Sequence, residues 1–135
     1  MSTEMIEKLK QREMLRKAKI FFERRLDFTR GPVELHKMIV QGTEMNIIDV
    51  RRPEDFSKEH IPGAVNLPED QWSTFKGLSK NRLNVVYCYT IVCQLATRAA
   101  KYFAEHDFPV IELRGGIEQW KKYGYTLESS ESSES

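Results

Sequence analysis

Two cysteines, Cys88 and Cys93, are the side chains of this sequence that most readily suggest chemistry. Cys88 ends an apolar run, and a loop separates it from a segment of helix-forming residues that starts at Leu95. The first turn of a helix has backbone N–H groups without intrahelical partners, and these groups favour a nearby anion. The position therefore predicts that the Cys88 thiol has a lowered pKa and acts as a nucleophile. The alternative is a buried cysteine at a strand end that only packs.

The loop after Cys88 offers donors for a sulfur anion. Its backbone amides are expected to form an anion cradle, and its residues are Tyr89, Thr90, Ile91, Val92, Cys93 and Gln94. Cys93 has two interpretations: a resolving thiol that attacks a persulfide or sulfenate on Cys88, or a small apolar residue on the inner face of the next helix. Two cysteines and distant histidines do not supply the four ligands of a zinc site, so no metal or other cofactor is predicted.

Short apolar runs alternate with helical patterns along the chain, and this alternation places Cys88 at a strand end. Buried strands are predicted at 46–50, 83–88 and 109–113, with a brief strand at 64–67. Helices are predicted at 3–26, from Pro32 to about Gly42, at 95–105 and at 117–123. Such an order is typical of an α/β fold with a mainly parallel sheet covered on both faces, where ligands gather at the carboxyl ends of the strands.

The composition is typical of one globular domain with extensions. The formal net charge of +1 provides no general field for a polyanion, so a nucleic-acid partner is not expected. No apolar run approaches the roughly 18 residues of a membrane-spanning helix, and the first residues lack the apolar stretch of a secretory signal, so we expect a cytoplasmic protein. Three segments are predicted: an N-terminal helical extension at 1–31, a domain at 32–125 and a disordered Ser/Glu tail at 126–135.

Several short motifs follow one another in an order that resembles the rhodanese-like domain family. They are Ile48-Asp-Val-Arg51, His60-Ile-Pro-Gly-Ala64, Val86-Tyr-Cys88, Arg98-Ala-Ala100 and Gly115-Gly-Ile-Glu-Gln-Trp120. The resemblance covers roughly residues 32–124. It implies the rhodanese fold, a sulfurtransferase activity, and a role for Cys88 as the cysteine that carries sulfane sulfur. It also implies that Asp49, Arg51 and His60 support the loops of the site structurally.

The cysteine loop departs from the family pattern where an arginine is expected. A typical rhodanese loop resembles Cys-x-x-Gly-x-Arg, and that of the related cell-cycle phosphatases resembles Cys-x5-Arg. Gln94 stands at the arginine position of the phosphatase pattern. Glutamine has neither the charge nor the forked donors that hold phosphate oxygens, so phosphatase activity is not expected. Sulfur transfer survives this change, although thiosulfate, a dianion, would bind weakly.

The sequence therefore predicts a sulfurtransferase that works through a Cys88 persulfide. The sulfur donor is expected to be thiosulfate, a polysulfide or a persulfide, and the acceptor a thiol or a protein. Two alternatives stay open: a thiol redox protein that cycles a Cys88–Cys93 disulfide, and a rhodanese-fold binding module without catalysis. The N-terminal helix is expected to pack on the domain or to pair with a second copy as a homodimer. No membrane partner is expected.

Overall fold

Alternating strands and helices place a parallel sheet at the centre of the protein, as the sequence predicts. The structure is a computed structural model that describes residues 1–130. The strands are β1 (Thr29–Arg30), β2 (Met45–Asp49), β3 (Val65–Asn66), β4 (Leu83–Tyr87) and β5 (Val110–Leu113). The helices are α1 (Thr3–Phe28), α2 (Pro32–Val40), α3 (Pro53–Lys58), α4 (Leu95–Glu105) and α5 (Gly116–Lys122), with a 3-10 helix at Glu69–Thr74.

The strand order determines where the cysteine loop lies. The sheet runs β1-β5-β4-β2-β3, and its strand pairs are parallel. The carboxyl ends of all strands therefore lie at the same edge, which is where open α/β sheets bind ligands. Because β4 is the central strand and ends at Tyr87, the next residue, Cys88, lies at the middle of that edge.

Alternation along β4 sends neighbouring side chains into two cores. Val86 and Cys88 face the core that α4 covers. Val85 and Tyr87 face the opposite core, which contains Trp120 of α5. Both cores are made of fully buried apolar residues, and burial of each large side chain stabilises the fold by about 1.5–3 kcal/mol. The strand that carries the cysteine is thus held on both faces.

The N-terminal extension contributes a strand to the sheet. Thr29 and Arg30 form β1, and they pair with Glu112 and Leu113 of β5. The Arg114 N–H then donates to the Arg30 carbonyl at 2.8 Å. The sheet thus begins at residue 29, before the predicted domain start at residue 32. A strand of two residues is too short to show a period in the sequence.

The α1 helix is exposed along its length, and none of its residues is buried. Its bounds agree with the predicted helix at 3–26, and its first turn is capped by the Ser2 hydroxyl, which accepts the Met5 N–H at 3.1 Å. The helix meets the sheet beside β1 and β5. No helix within residues 1–130 combines the length and the apolar character needed to cross a membrane.

Part of the predicted Ser/Glu tail packs against the domain. Glu128 and His60 exchange two backbone hydrogen bonds of 2.8 Å, and the Ser130 N–H donates to the Ser57 carbonyl at 3.0 Å. The Thr126 carbonyl accepts the indole N–H of Trp120 at 3.0 Å. Ordered contacts therefore extend to residue 130, and residues 131–135 of the predicted tail lie outside the described residues.

Gly116 brings α5 against the backbone of the cysteine loop. A Cβ at this position would lie 2.6 Å from the Cys88 carbonyl oxygen, and its φ of +61° is left-handed. We therefore expect Gly116→Ala to lower the free energy of unfolding by more than the roughly 1–2 kcal/mol of left-handed strain. Urea denaturation measures this loss.

Gly124→Ala is the matched control for this change. Gly124 also has a left-handed φ, +74°, but a Cβ there would have nothing within 4 Å. The loss of unfolding free energy in Gly124→Ala should therefore reflect the left-handed backbone strain alone. Equal losses in the two variants would contradict the close approach of Gly116 to the Cys88 carbonyl.

Candidate active site

Cys88 lies at the start of the cysteine loop and is 2% exposed. Its carbonyl accepts the Ile117 N–H at 3.0 Å, and the Tyr89 carbonyl accepts the Glu118 N–H at 3.0 Å. Both donors lie in the first turn of α5, so these hydrogen bonds fix the backbone of Cys88 and Tyr89. The Cys88 thiol lies 3.7 Å from the Cys93 carbonyl oxygen and donates to it. Both cysteines are free thiols.

The loop forms a turn in which one of its amides is used internally. The Cys93 N–H donates to the Thr90 carbonyl at 3.2 Å. Ile91 and Val92 occupy the outside of this turn and are 63% and 84% exposed. Gln94 then caps the N-terminus of α4 without a side-chain hydrogen bond. The turn therefore brings Cys93 back towards Cys88 and leaves the residues between them at the surface.

Backbone amides from both ends of the loop act on the two sulfur atoms. The N–H groups of Tyr89 and Ala96 hydrogen-bond to Cys88, and those of Tyr89 and Leu95 hydrogen-bond to Cys93. Leu95 and Ala96 lie in the first turn of α4, outside the predicted cradle of residues 89–94. Their roles could have been inferred from the predicted helix start, because the first amides of a helix have no partners within it.

Burial decides the pKa of Cys88. Burial and the hydrogen bond with Cys93 raise the pKa of this thiol to about 12, although the amides of Ala96 and Tyr89 act in the opposite direction. The sequence-based prediction of a lowered Cys88 pKa is therefore wrong, since desolvation of the thiolate outweighs the amide donors. Cys93 is less buried. Burial raises its pKa, but the hydrogen bond from Cys88, two amides and the charge of Arg98 outweigh burial and leave it below the ordinary value.

A buried ion pair supports the loop from β2. Arg51 donates from Nε and Nη2 to the Asp49 carboxylate at 2.8–3.1 Å, and both side chains are almost fully buried. Nη2 of Arg51 also donates to the Glu59 carbonyl at 2.6 Å. The guanidinium lies 5.5 Å from the ring centroid of Tyr89. The predicted residues Asp49 and Arg51 thus lie beneath the first loop residue and touch neither sulfur in a hydrogen bond.

Tyr89 is a site residue whose side-chain role the sequence did not indicate. Its hydroxyl donates to the Asp55 carboxylate and accepts the Arg52 N–H at 3.2 Å. Burial raises the pKa of this phenol, as does the hydrogen bond to Asp55. The loop is therefore tied to the N-terminus of α3 at Tyr89. No spacing in the sequence connects Tyr89 with a residue 34 positions earlier.

His60 lies in a turn, where its contacts are internal. Its Nδ1 is 2.8 Å from the Phe56 carbonyl oxygen, its ring stacks on the Phe56 ring at 3.9 Å, and its Nε2 is 3.7 Å from the Glu128 carboxylate. Within this corner of the fold, Nδ1 is hydrogen-bonded to the backbone and Nε2 faces the Glu128 carboxylate. The structure therefore gives His60 no hydrogen bond with either cysteine.

Both cysteines open into a cavity of about 400 Å³. The loop contributes Thr90, Ile91 and Gln94 to its lining, and the end of β5 contributes Glu112 and Leu113. The last turns of α1 complete the lining with residues that the sequence analysis did not place in the site: Phe21, Arg24, Arg25 and Phe28. Gln94, at the position of the missing arginine, thus faces the same space as Cys88.

Glu112 is a partly buried carboxylate in this cavity. The Thr97 hydroxyl lies 2.9 Å from each of its carboxylate oxygens and donates to them. Burial raises the pKa of Glu112, while the hydrogen bond from Thr97 and the charge of Arg25 act in the opposite direction. Its position follows from the sheet register, in which Glu112 pairs with Val86, two residues before Cys88.

Comparison with known proteins assigns the family. The family model of the rhodanese-like domain matches residues 31–123. A structure of the BH2092 protein from Bacillus halodurans superposes with a TM-score of 0.77, is 34% identical, and covers 85% of this chain and 86% of its own. The chain therefore belongs to the rhodanese-like domain family, and the predicted resemblance and fold are confirmed.

Two curated relatives show the range of proteins that contain this domain. Thiosulfate sulfurtransferase GlpE of Shewanella oneidensis is 36% identical over 87 residues, which are 61% of this chain and 84% of GlpE. Probable adenylyltransferase/sulfurtransferase MoeZ of Mycobacterium tuberculosis is 34% identical over 94 residues, or 67% of this chain. The chain spans only 24% of the length of MoeZ. Sulfurtransferases are thus among the members of this family.

The two cysteines should react with iodoacetamide over different pH ranges. Since only thiolates alkylate quickly, we expect Cys93 to be modified first at about pH 8, and Cys88 to react faster only as the pH rises towards 12. Peptide mass spectrometry measures both rates. Faster modification of Cys88 than of Cys93 at neutral pH would show that the pKa order is reversed.

Proposed function

We propose that this protein transfers sulfane sulfur through a persulfide on Cys88. The observation that carries the proposal is the position of Cys88 after the central strand β4, in a cavity, with the amides of Tyr89 and Ala96 directed at its sulfur. Amides in this arrangement stabilise an anion, and a persulfide is a stronger acid than the thiol that carries it. The family membership and the sulfurtransferase relatives support the same chemistry.

The pKa order of the two cysteines suggests how Cys88 is activated. A thiolate forms more readily on Cys93, and Cys88 is hydrogen-bonded to it. As the Cys88 sulfur attacks the donor, its proton passes to Cys93, which then acts as a general base. An acceptor thiolate later attacks the outer sulfur of the persulfide and regenerates Cys88. In this proposal Cys93 is a general base, which differs from both the resolving thiol and the packing residue that the sequence suggested.

A thiol redox function is the second candidate, because the two thiols interact directly. In that function Cys88 and Cys93 form one disulfide, and an oxidant such as hydrogen peroxide takes up the two electrons while two protons are released. In a reducing compartment such as the cytoplasm, which we propose for this protein, the disulfide would be transient. The third candidate, a binding module without catalysis, requires no change at either cysteine.

Mass spectrometry after treatment with thiosulfate or an inorganic polysulfide separates these functions. Sulfur transfer predicts the gain of one sulfur atom on Cys88 with these donors, a redox cycle predicts the loss of two hydrogens in a parallel treatment with hydrogen peroxide, and a binding module predicts no change in either. Cys88→Ser should abolish sulfur loading while circular dichroism stays unchanged, because serine is nearly isosteric. Cys93→Ser should slow loading without abolishing it. Sulfur retained on a folded Cys88→Ser protein would assign the nucleophile to another residue.

The cysteine loop itself gives a phosphatase function no support. Phosphoryl transfer through cysteine needs a guanidinium that holds the equatorial oxygens, and the residue facing the cavity at that loop position is Gln94. Sulfur transfer depends less on such a group. Gln94 contributes no charge of its own, so any attraction of an anionic donor has to come from other elements of the cavity.

We also propose that α1 pairs with a second copy of the chain. Several large apolar side chains of this helix are exposed, including Met14 at 72% and Leu15 at 69%. Large apolar side chains that stay exposed on a helix are candidates for burial against a second copy. Leu15→Glu should halve the molar mass measured by light scattering, and Gln11→Glu, which adds the same charge at a polar position of α1, should leave it unchanged. A monomeric mass for the unaltered protein would rule out the dimer.

A further inference from the structure

One wall of the cysteine cavity comes from α1 and from the residue after β5. Because β1 pairs with β5, the last turns of α1 lie beside the carboxyl end of β5. Arg24 and Arg25 of these turns line the cavity that contains Cys88, and so does Arg114. Arg25 and Arg114 also line a smaller adjoining cavity together. Three guanidinium groups that are distant in sequence therefore border one space.

These three arginines form no ion pair within 4.0 Å among residues 1–130, although the charge of Arg25 acts on the Glu112 carboxyl. Five of the ten arginines of the chain form ion pairs within 4.0 Å. The other five have none among residues 1–130, and three of them are Arg24, Arg25 and Arg114 at the cavity. Unpaired cations at the rim of a cavity attract an anion more strongly than cations that are already neutralised. The distribution of unpaired charge therefore points to an anionic ligand.

The other ionisable groups of the cavity do not cancel this charge. Glu112 is the carboxylate in the lining, and it already accepts the Thr97 hydroxyl. Burial raises its pKa, while the hydrogen bond from Thr97 and the charge of Arg25 act in the opposite direction. The remaining titratable groups are the thiols of Cys88 and Cys93. The lining within the described residues thus has more positive than negative charge, and the loop residue Gln94 adds none.

We propose that Arg24, Arg25 and Arg114 bind the anionic group of the sulfur donor and supply the charge that Gln94 lacks. This assignment rests on the proposed sulfur transfer through Cys88 and specifies its donor. The cavity of about 400 Å³ has the size of a small-molecule site and is much larger than an inorganic sulfur anion. Phe21 and Phe28 add an apolar wall. The donor that fits these features is a small organic persulfide with a carboxylate.

The transfer step balances without an oxidant. The Cys88 sulfur attacks the outer sulfur of the donor R–S–SH, and a new S–S bond forms on Cys88 as the bond between the two donor sulfurs breaks. The thiolate R–S⁻ leaves with that electron pair, and the Cys88 proton passes to Cys93. The carboxylate of R stays on the arginines throughout. Arg24 and Arg25 therefore determine specificity and are not part of the reacting group.

Ligand binding without reaction tests the charge assignment first. In a Cys88→Ser background, 3-mercaptopropionate, 2-mercaptoethanol and thiosulfate are titrated calorimetrically. We expect Arg24→Gln/Arg25→Gln to weaken binding of 3-mercaptopropionate at least about tenfold, because charge-assisted contacts are lost. The uncharged 2-mercaptoethanol should respond little. Arg12→Gln, an unpaired arginine of α1 that does not line the cavity, is the control and should leave all affinities unchanged.

Sulfur loading with matched donors then tests the reaction. With both cysteines present, Arg24→Gln/Arg25→Gln should raise KM for 2-carboxyethyl persulfide about tenfold with little change in kcat. It should have little effect on 2-hydroxyethyl persulfide, which differs only in its uncharged end. An equal rise for both donors, or no rise for either, would overturn the charge assignment. A rise in KM that is confined to thiosulfate would contradict the proposal that the donor is an organic persulfide.

The same two measurements separate this assignment from the proposed function. Carboxylate binding that depends on Arg24 and Arg25, combined with no sulfur loading from any donor, would support the anion site and refute sulfur transfer. Loading of Cys88 that is insensitive to both arginines would support sulfur transfer and refute the anion site.

Discussion

The buried ion pair between Asp49 and Arg51 is the interaction on which the geometry of the site depends. Arg51 reaches the Glu59 carbonyl with the same guanidinium that pairs with Asp49, and it underlies the Tyr89 ring. It therefore connects the end of β2, the segment after α3 and the start of the cysteine loop. Such a pair contributes little net stability, because desolvation offsets its attraction, but loss of either partner leaves an uncompensated charge and costs about 3–5 kcal/mol. In this fold the pair holds three segments together through one guanidinium.

Two opposing effects meet at Cys88. The amides of Tyr89 and Ala96 favour the thiolate, whereas burial in the α4 core disfavours it, and burial dominates. A buried, protonated thiol is protected from non-specific oxidation, since oxidants react with the thiolate. The more exposed Cys93 holds the thiolate form more readily. In the proposed reaction, Cys93 therefore accepts the proton and Cys88 attacks the donor.

The sequence indicated those features that depend on local pattern. The strands before Cys88, the parallel sheet and the family motifs were all predictable, because apolar periodicity and short motifs are local properties. The contribution of α1 to the cavity was not predictable, because it depends on the pairing of Thr29 and Arg30 with β5. The pKa of Cys88 was predicted in the wrong direction, since the loop amides are visible as a helix start but the depth of burial depends on packing between distant segments. The sequence indicated a role for the Tyr89 amide but not for its hydroxyl, because the hydroxyl contacts a distant segment of the chain.

Both outer strands of the sheet, β1 and β3, are only two residues long. An edge strand of that length offers few unpaired N–H and C=O groups, so a second sheet cannot easily add to it. The longer strands β2, β4 and β5, which are rich in β-branched residues, lie between these short edges. The architecture thereby shields its most aggregation-prone segments from intermolecular strand pairing.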